Sequence, residues 1–375
     1  QLIQTQKYII DFIDNLNYPF VFNLANGFDL IADSPQSVLH PLYVVINFFL
    51  DDKIILQSIF VKIHMFFFIL GLYFYLKDKI NNNIISIILI FSISNSMAFT
   101  ENISHPFFIS VYCYFPFILI MVDKIILNSK RLEFIFFTLL LTLMLLVGHF
   151  QHQFIFLCFL MVYLVQKLIV KKINFRKFID IIFCIMISFI IALPQLLPVF
   201  DLMLTGERSN IGGIGRFSQS LSGLGITGYL FPGFNLTFFK YFQDHYNLFS
   251  TAPSLVEGLH YIGILPLVIF SFFLTKINKD LFKDAIFISI IFLFLRALGI
   301  FFILNLFLNY LPLFGQFRAP IRNLYLVDFL IFIFIAINFK KYFLISDLRN
   351  FVYKFYKYYI FLILSIFLIA MFFGF

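Results

Sequence analysis

The sequence predicts an all-α polytopic membrane protein, a bundle of transmembrane helices with outward-facing loops. Three observations carry the prediction. First, 62% of the residues are hydrophobic and 12% charged, where an ordinary soluble domain carries about a quarter charged. With a mean hydropathy of +0.97, the apolar surplus has to face lipid. Second, the apolar residues come in runs near the length, about 20 residues, at which a helix crosses the hydrocarbon core. Third, Lys and Arg collect in alternate gaps between those runs, the pattern that sets orientation in a bilayer.

The elements follow in chain order as one transmembrane domain over residues 1–375. Residues 1–53 read as a first outer loop, in which the apolar stretch 38–50 is too short to span and forms an interfacial helix. Residues 54–199 hold about six spans, at 54–76, 84–99, 107–122, 134–148, 153–169 and 178–199. Residues 200–258, with their Gly, Pro and Asn, form a long outer loop. Residues 259–375 hold about four more spans, at 259–275, 284–304, 320–339 and 358–375. Several runs are short enough for half-helices or re-entrant segments. Gln1 in place of Met, and an apolar run that reaches Phe375, lead us to expect truncation at both ends.

Charge sidedness orients the bundle. With residues 1–53 outside, the inner loops hold most of the 27 basic residues. Among these are Lys77 and Lys79, then Lys124, Lys130 and Arg131, then Lys167, Lys171, Lys172, Arg176 and Lys177. Lys276, Lys279 and Lys283 follow, then Lys340, Lys341 and Arg349. A net charge of +8 spread this way is topogenic and excludes a nucleic-acid stripe. Six of the seven histidines, all but His64, map to the outer side, and function is expected there. Cys113, Cys158 and Cys184 lie inside apolar runs without metal-type spacing and read as core thiols.

Five outer motifs carry candidate chemistry. The first runs from Asn23 to Gln36 and is followed by His40-Pro41; its Asn-Gly and Ser-Pro steps break regular structure. Asp29 and Asp33 then ride on a loop above the bilayer, where a low dielectric raises a carboxyl toward neutrality and suits it to act as a base. Asp33 could equally cap a helix that begins near Pro35. The second motif is Gly148-His149-Phe150-Gln151-His152 at a helical hairpin turn. Its two imidazoles, three residues apart, could share a face and take a divalent metal, although no third ligand has a matching spacing. Hydrogen bonding to a polar substrate, or to loop backbone, is the alternative.

The third motif, Leu193 to Pro198, reads as a Pro-rich end to a span that leads through Asp201 to Glu207-Arg208. The fourth places Glu257, His260 and Tyr261 at the mouth of the next helix. The fifth, Phe317-Arg318-Ala319-Pro320-Ile321-Arg322, sets two guanidiniums four residues apart at the outer start of a helix. They suit a phosphate clamp, or else snorkel to lipid headgroups. Within the spans Lys62, His64, Arg296 and Asp328 are costly unless paired, and Asp328 with Arg296 or Lys62 is the expected pair.

Taken in order, these motifs resemble a known family. The run Gly-x-x-Leu-x-Ala-Asp-x-x-Gln ending at Gln36 is followed by Gly-His-x-Gln at 148–151 and Pro-x-x-x-Pro-Val at 194–199, leading to Glu207-Arg208. Tyr-x-Gly-x-x-Pro-Leu at 261–267 and Phe-Arg-x-Pro-x-Arg at 317–322 complete the series. Over about Tyr18 to Leu330 the chain resembles the bacterial YfhO-like membrane proteins of the GT-C glycosyltransferase superfamily. The resemblance implies a GT-C-like helix bundle in the bacterial cytoplasmic membrane with its active site on the extracytoplasmic side. It also implies a polyprenyl-phosphate-linked sugar donor, a glycan or lipid-linked acceptor, and inversion at the anomeric carbon.

On that basis Asp33 is the candidate catalytic carboxylate. Asp29, Gln36, His40, His149, Gln151, Arg208, Glu257, Tyr261, Arg318 and Arg322 are candidate substrate ligands. No metal ligand and no certain cofactor is assigned, and a divalent metal is compatible with the class. Two departures stand out. The family's acidic residue just after its first span would fall at or before Gln1, and its Gly-His-Pro-Gln reads Gly-His-Phe-Gln here. A transporter or flippase for a lipid-linked intermediate, without chemistry, is the competing reading; it calls for polar groups through both leaflets.

Overall fold

The computed structural model describes residues 20–21, 28–29, 31, 37, 39–50, 52–96, 99, 106–205, 260–299, 302–308, 314, 317, 319–342, 350–353 and 356. A two-residue strand β1 (Phe20–Val21) pairs antiparallel with β2 (Phe28–Asp29), Phe20 opposite Asp29. The other elements are helical. The first are α1 (Pro41–Phe49), α2 (Lys53–Ile80), α3 (Asn83–Ser94), α4 (Pro106–Tyr112), α5 (Phe115–Leu127) and α6 (Arg131–Leu145). They are followed by α7 (Phe150–Ile169), α8 (Phe175–Thr205), α9 (Ile264–Ile277), α10 (Ala285–Ala297), α11 (Ile303–Leu308) and α12 (Asn323–Tyr342). A 3₁₀ turn, Pro320–Arg322, leads into α12.

Local chemistry sets several helix starts. The Asn82 side chain accepts from the N–H groups of Ile84 and Ile85 at 3.0 and 3.2 Å to begin α3. Asp284 does the same for Ile286 and Phe287 at α10, and Glu133 closes a capping box by accepting from Lys130 N at 2.9 Å. At α8 the expectation of a Pro-rich stop is corrected. The helix runs 31 residues with Pro194 and Pro198 inside it. Proline is tolerated within membrane helices because neighbouring groups re-satisfy the backbone it frees.

Five helices are long and apolar enough to cross a membrane: Ile55–Ile80, Phe108–Leu127, Phe150–Ile169, Phe175–Leu204 and Pro320–Phe339. The chain is a multi-pass helical membrane protein. Four of the expected spans are shorter helices, Asn83–Ser94, Ile264–Lys276, Ala285–Ala297 and, in place of 134–148, Arg131–Leu145; at 1.5 Å per residue, none reaches across about 30 Å of hydrocarbon. The expected span at 358–375 lies outside the described residues. Large apolar side chains such as Phe91, Phe183 and Ile190 stand outward on the helices, as lipid-facing positions should. The α1 helix carries Phe48 and Phe49 outward and buries Tyr43 and Ile46, which suits an interfacial element.

The two ends of the bundle differ in chemistry. At one, Asp123 pairs with Lys79 at 2.7 Å and with Lys167 at 4.0 Å, and accepts from Tyr163 Oη at 3.2 Å. Lys177 Nζ donates to Ile126 O and Gln166 Nε2 to Phe282 O. Residues from four of the predicted inner loops or their flanks therefore meet at a single lysine-rich end. The helix starts at Pro41, Phe150 and Pro320 gather at the opposite end.

Candidate functional site

That opposite end is built on the turn between α6 and α7. Gly148 takes the left-handed backbone, φ 72°, that a tight turn here requires. Its N–H donates to Ser37 Oγ at 3.0 Å, which docks the first loop on the turn. Gln153 braces the turn by donating to Leu145 O and Val147 O. Gln195, on the proline-containing part of α8, donates to Ile31 O. Ile31 and Ser37, which bracket Asp33, are thus both anchored to the bundle.

Three predicted site residues meet here. His149 caps α7, its Nδ1 accepting from Gln151 N at 3.2 Å. Buried Gln151 donates from Nε2 to Ala319 O at 2.9 Å and accepts Arg322 Nη1 on Oε1 at 2.7 Å. Arg322 stands over the Phe108 ring, 5.6 Å from its centroid, with Nη1 3.5 Å from His149 Nε2. The imidazole and the guanidinium, which can only donate, line the same small region. Gln151 is buried, whereas His149 and Arg322 are half-buried and within reach of a ligand.

A buried polar layer lies beneath. His152 Nδ1 shares a hydrogen bond with Tyr112 Oη at 2.8 Å, and its ring packs 4.0 Å from that of Phe108. His260 Nδ1 and Asp328 Oδ2 are 2.9 Å apart, with side chains 1% and 0% exposed. Tyr325 joins the two parts, its ring 5.0 Å from His260 and 5.7 Å from His152. The expected pairing of Asp328 with Arg296 or Lys62 is corrected: Asp328 pairs with His260. Arg296 donates to Asn305 Oδ1 and Phe314 O, and Lys62 is exposed. Arg296 also lines a small cleft of about 330 Å³, its open mouth included, on another face of Gln151, with Phe154, Cys158, Phe317 and Asn323.

The other predicted residues fall elsewhere. His40 packs in a second cluster, its Nε2 2.7 Å from Tyr114 Oη and its ring 5.4 Å from that of His64. Burial, and secondarily the neighbouring His64, pull the His40 imidazole down to about 3. It serves as a neutral anchor for the first loop, away from Arg322. Tyr261 is half-buried next to His260. Asp29 lies in β2. Asp33, Gln36, Arg208, Glu257 and Arg318 lie outside the described residues.

The expected metal-binding face of His149 and His152 finds little support here. Their rings stand 5.7 Å apart at 87°, Nδ1 of each is engaged, and a guanidinium sits beside His149. No group of three metal-ligating side chains occurs among the described residues. Sequence reasoning passed over His152, His260 and Asp328 as site residues. The signal for Asp328 was present, since a carboxylate inside a span marks function by default. No protein-family model matches the chain, and no match was found among curated proteins or solved structures.

Proposed function

We propose that this chain is a GT-C-type membrane glycosyltransferase of the bacterial cytoplasmic membrane. It moves a sugar from a polyprenyl-phosphate donor to a glycan or lipid-linked acceptor on the extracytoplasmic side. One observation carries the reading: the His149 imidazole and the Arg322 guanidinium meet at one spot, with Arg322 held by Gln151. A guanidinium placed beside an imidazole, at the end away from the lysine-rich loops, suits the phosphate of a lipid-linked sugar. The order of the outer motifs supports the sugar-transfer chemistry.

In the reaction the acceptor hydroxyl attacks the anomeric carbon, and the carbon–oxygen bond to phosphate breaks with its electron pair going to the phosphate. Arg322 and His149 stabilise the charge that grows on that leaving group, the largest electrostatic demand in the step. Asp33 meets the acceptor hydroxyl as its ligand or base, and Arg208, Glu257, Tyr261 and Arg318 complete the sugar and phosphate contacts.

The test is release of polyprenyl phosphate from a polyprenyl-phosphate hexose by the protein in lipid nanodiscs. Arg322→Ala is expected to lower kcat by about 10²–10³-fold while thermal stability holds within a few degrees. Near-normal turnover by this variant rejects the assignment. A flippase would instead move the donor across vesicles with its sugar–phosphate bond intact, and the same lipid analysis separates the two.

A further inference from the structure

The cleft of about 330 Å³, open mouth included, shares Gln151 with the phosphate site and lies between α7 and α10. Gln151, Phe154 and Cys158 form one wall, spaced three and four residues apart on a single face of α7. From Gln151 to Cys158 that face descends about 10 Å along the helix. Met161 and Val165, the next positions on it, are 38% and 40% exposed, so the cleft gives onto the lipid-facing side of the bundle. Its walls are preformed. The Phe154 ring packs 4.8 Å from Phe314 and 5.1 Å from Phe317. Arg296 donates to Phe314 O at 3.1 Å and lies 5.4 Å from that ring's centroid, which fixes the ring in place. The polar groups at the cleft are engaged within the protein: Gln151 with Ala319 and Arg322, Asn323 with Pro320 O, and Arg296 with Asn305 and Phe314. The surface offered to a ligand is therefore mainly aromatic.

We propose that this cleft seats the prenyl chain of the donor lipid, entering from the membrane, so that the sugar projects from the phosphate on the opposite side, toward the first loop. The inference rests on the sugar-transfer reading. A phosphate held at Arg322 carries two substituents, and Gln151 borders both the phosphate site and the cleft, so one substituent lies against phenyl rings. A hexose placed there loses the water on its hydroxyls without regaining hydrogen bonds, at a cost of about 1–3 kcal/mol for each group. Isoprene units gain by the same burial. The remaining side is that of the first loop, which Ser37 and Ile31 anchor to the bundle. This arrangement makes Phe154, Cys158 and Phe314 determinants of chain recognition, separate from the groups that stabilise the leaving phosphate.

The chain contains no Trp, so Phe292→Trp introduces a single indole at the cleft. Its emission is followed in nanodiscs while farnesyl phosphate or inorganic phosphate is titrated, and calorimetry gives both affinities. Phe183→Trp, on the outward face of α8, reports simple partitioning into lipid. Expected is a saturable change with farnesyl phosphate at position 292 only. Cys158→Phe, which fills the cleft, and Phe154→Ala, which removes its wall, should each weaken farnesyl phosphate by about tenfold or more, the equivalent of two buried methylene groups. Inorganic phosphate should stay within about threefold in both. No saturable change at position 292, or farnesyl phosphate within about threefold of the parent in both cleft variants, overturns the proposal and leaves the phosphate site standing. Equal loss for both probes also overturns it, as damage to the whole site. A parent chain that binds neither probe overturns the phosphate site and the chain seat together. Farnesyl phosphate seated in the cleft of a chain that transfers no sugar would support the seat and overturn the transfer reading alone.

Discussion

Replacing Gln151 with glutamate separates the anion-binding role of the site from its contribution to the fold. Gln151 is 4% exposed, accepts Arg322 Nη1 at 2.7 Å and donates to Ala319 O at 2.9 Å. Gln151→Glu keeps the shape and the acceptor, removes the donor and adds a negative charge. In folding terms, Ala319 O keeps the bond it accepts from Arg322 N at 3.1 Å, so losing the Gln151 donor costs about 0.5–1.5 kcal/mol, and the opposite charge now facing Arg322 returns a similar amount. Stability should therefore change little. An anion held on the ligand side of the guanidinium would lie about 5 Å from the new carboxylate, where like charges repel by about 3 kcal/mol at an effective dielectric of about 20. That converts to roughly a hundredfold loss of affinity. Titrating nanodisc-embedded protein with a short-chain prenyl phosphate, with thermal unfolding in parallel, measures both effects. Wild-type affinity in Gln151→Glu would refute the anion site, and so would a loss of affinity explained by unfolding.

Three further perturbations probe packing, protonation and orientation. A Cβ at Gly71 would lie 2.7 and 2.9 Å from ring carbons of Phe117, so Gly71→Ala should destabilise the α2–α5 contact by about 1–3 kcal/mol. Adding Phe117→Leu should recover most of the loss, and a higher melting temperature for Gly71→Ala alone would contradict the close approach. His40, drawn down to about 3 when folded against an ordinary 6.5, takes up a proton in the unfolded chain that the folded chain refuses. Stability should therefore rise with pH between those values, and falling from pH 7.5 to 5.0 should cost about 2 kcal/mol. His40→Asn should lose that share of the slope, and parallel melting curves for the two proteins would show that His40 does not report it. In a background lacking native cysteines, Tyr261→Cys should react with an impermeant maleimide on intact cells and Ser129→Cys only after permeabilisation. The reverse pattern would invert the bundle and remove the extracytoplasmic site.

Much of this architecture is legible in the sequence because hydropathy and capping act locally. Runs of Phe, Ile and Leu give the spans, and Asn82, Glu133 and Asp284 give helix starts through side chains that reach only two or three residues. The Pro194–Pro198 segment was misread as a stop because the local rule, loss of an N–H, is offset by packing that sequence does not display. The trio of His149, Gln151 and Arg322 is readable only in part: Arg322 and Gly148-His149-x-Gln151 stand out as motifs, but the hydrogen bond joining Gln151 to Arg322 spans 171 positions. His260 and Asp328, 68 positions apart, stand out only separately, and the sequence offers Asp328 the wrong partners. Pairing of that kind is decided by which helices touch.

The burial of α12 explains where such charges can be kept. The window Pro320–Phe339 is 89% buried, against 39% for Ile55–Ile80, because α2, α3, α7, α9 and α10 wrap it. A charge on a lipid-facing helix centre costs about 2.5–3.5 kcal/mol on insertion scales, and this helix meets little lipid. Shelter alone does not make the His260–Asp328 pair a stabilising device, since desolvation of two charges commonly cancels their attraction. The pair can be tested on that point. Asp328→Leu alone should destabilise by about 3–5 kcal/mol by removing the carboxylate that His260 faces, whereas Asp328→Leu with His260→Phe should match or exceed wild-type stability. That outcome would show that the pair is not what stabilises the fold. A double variant as weak as the single one would mean the pair is there to hold α12 to the start of α9.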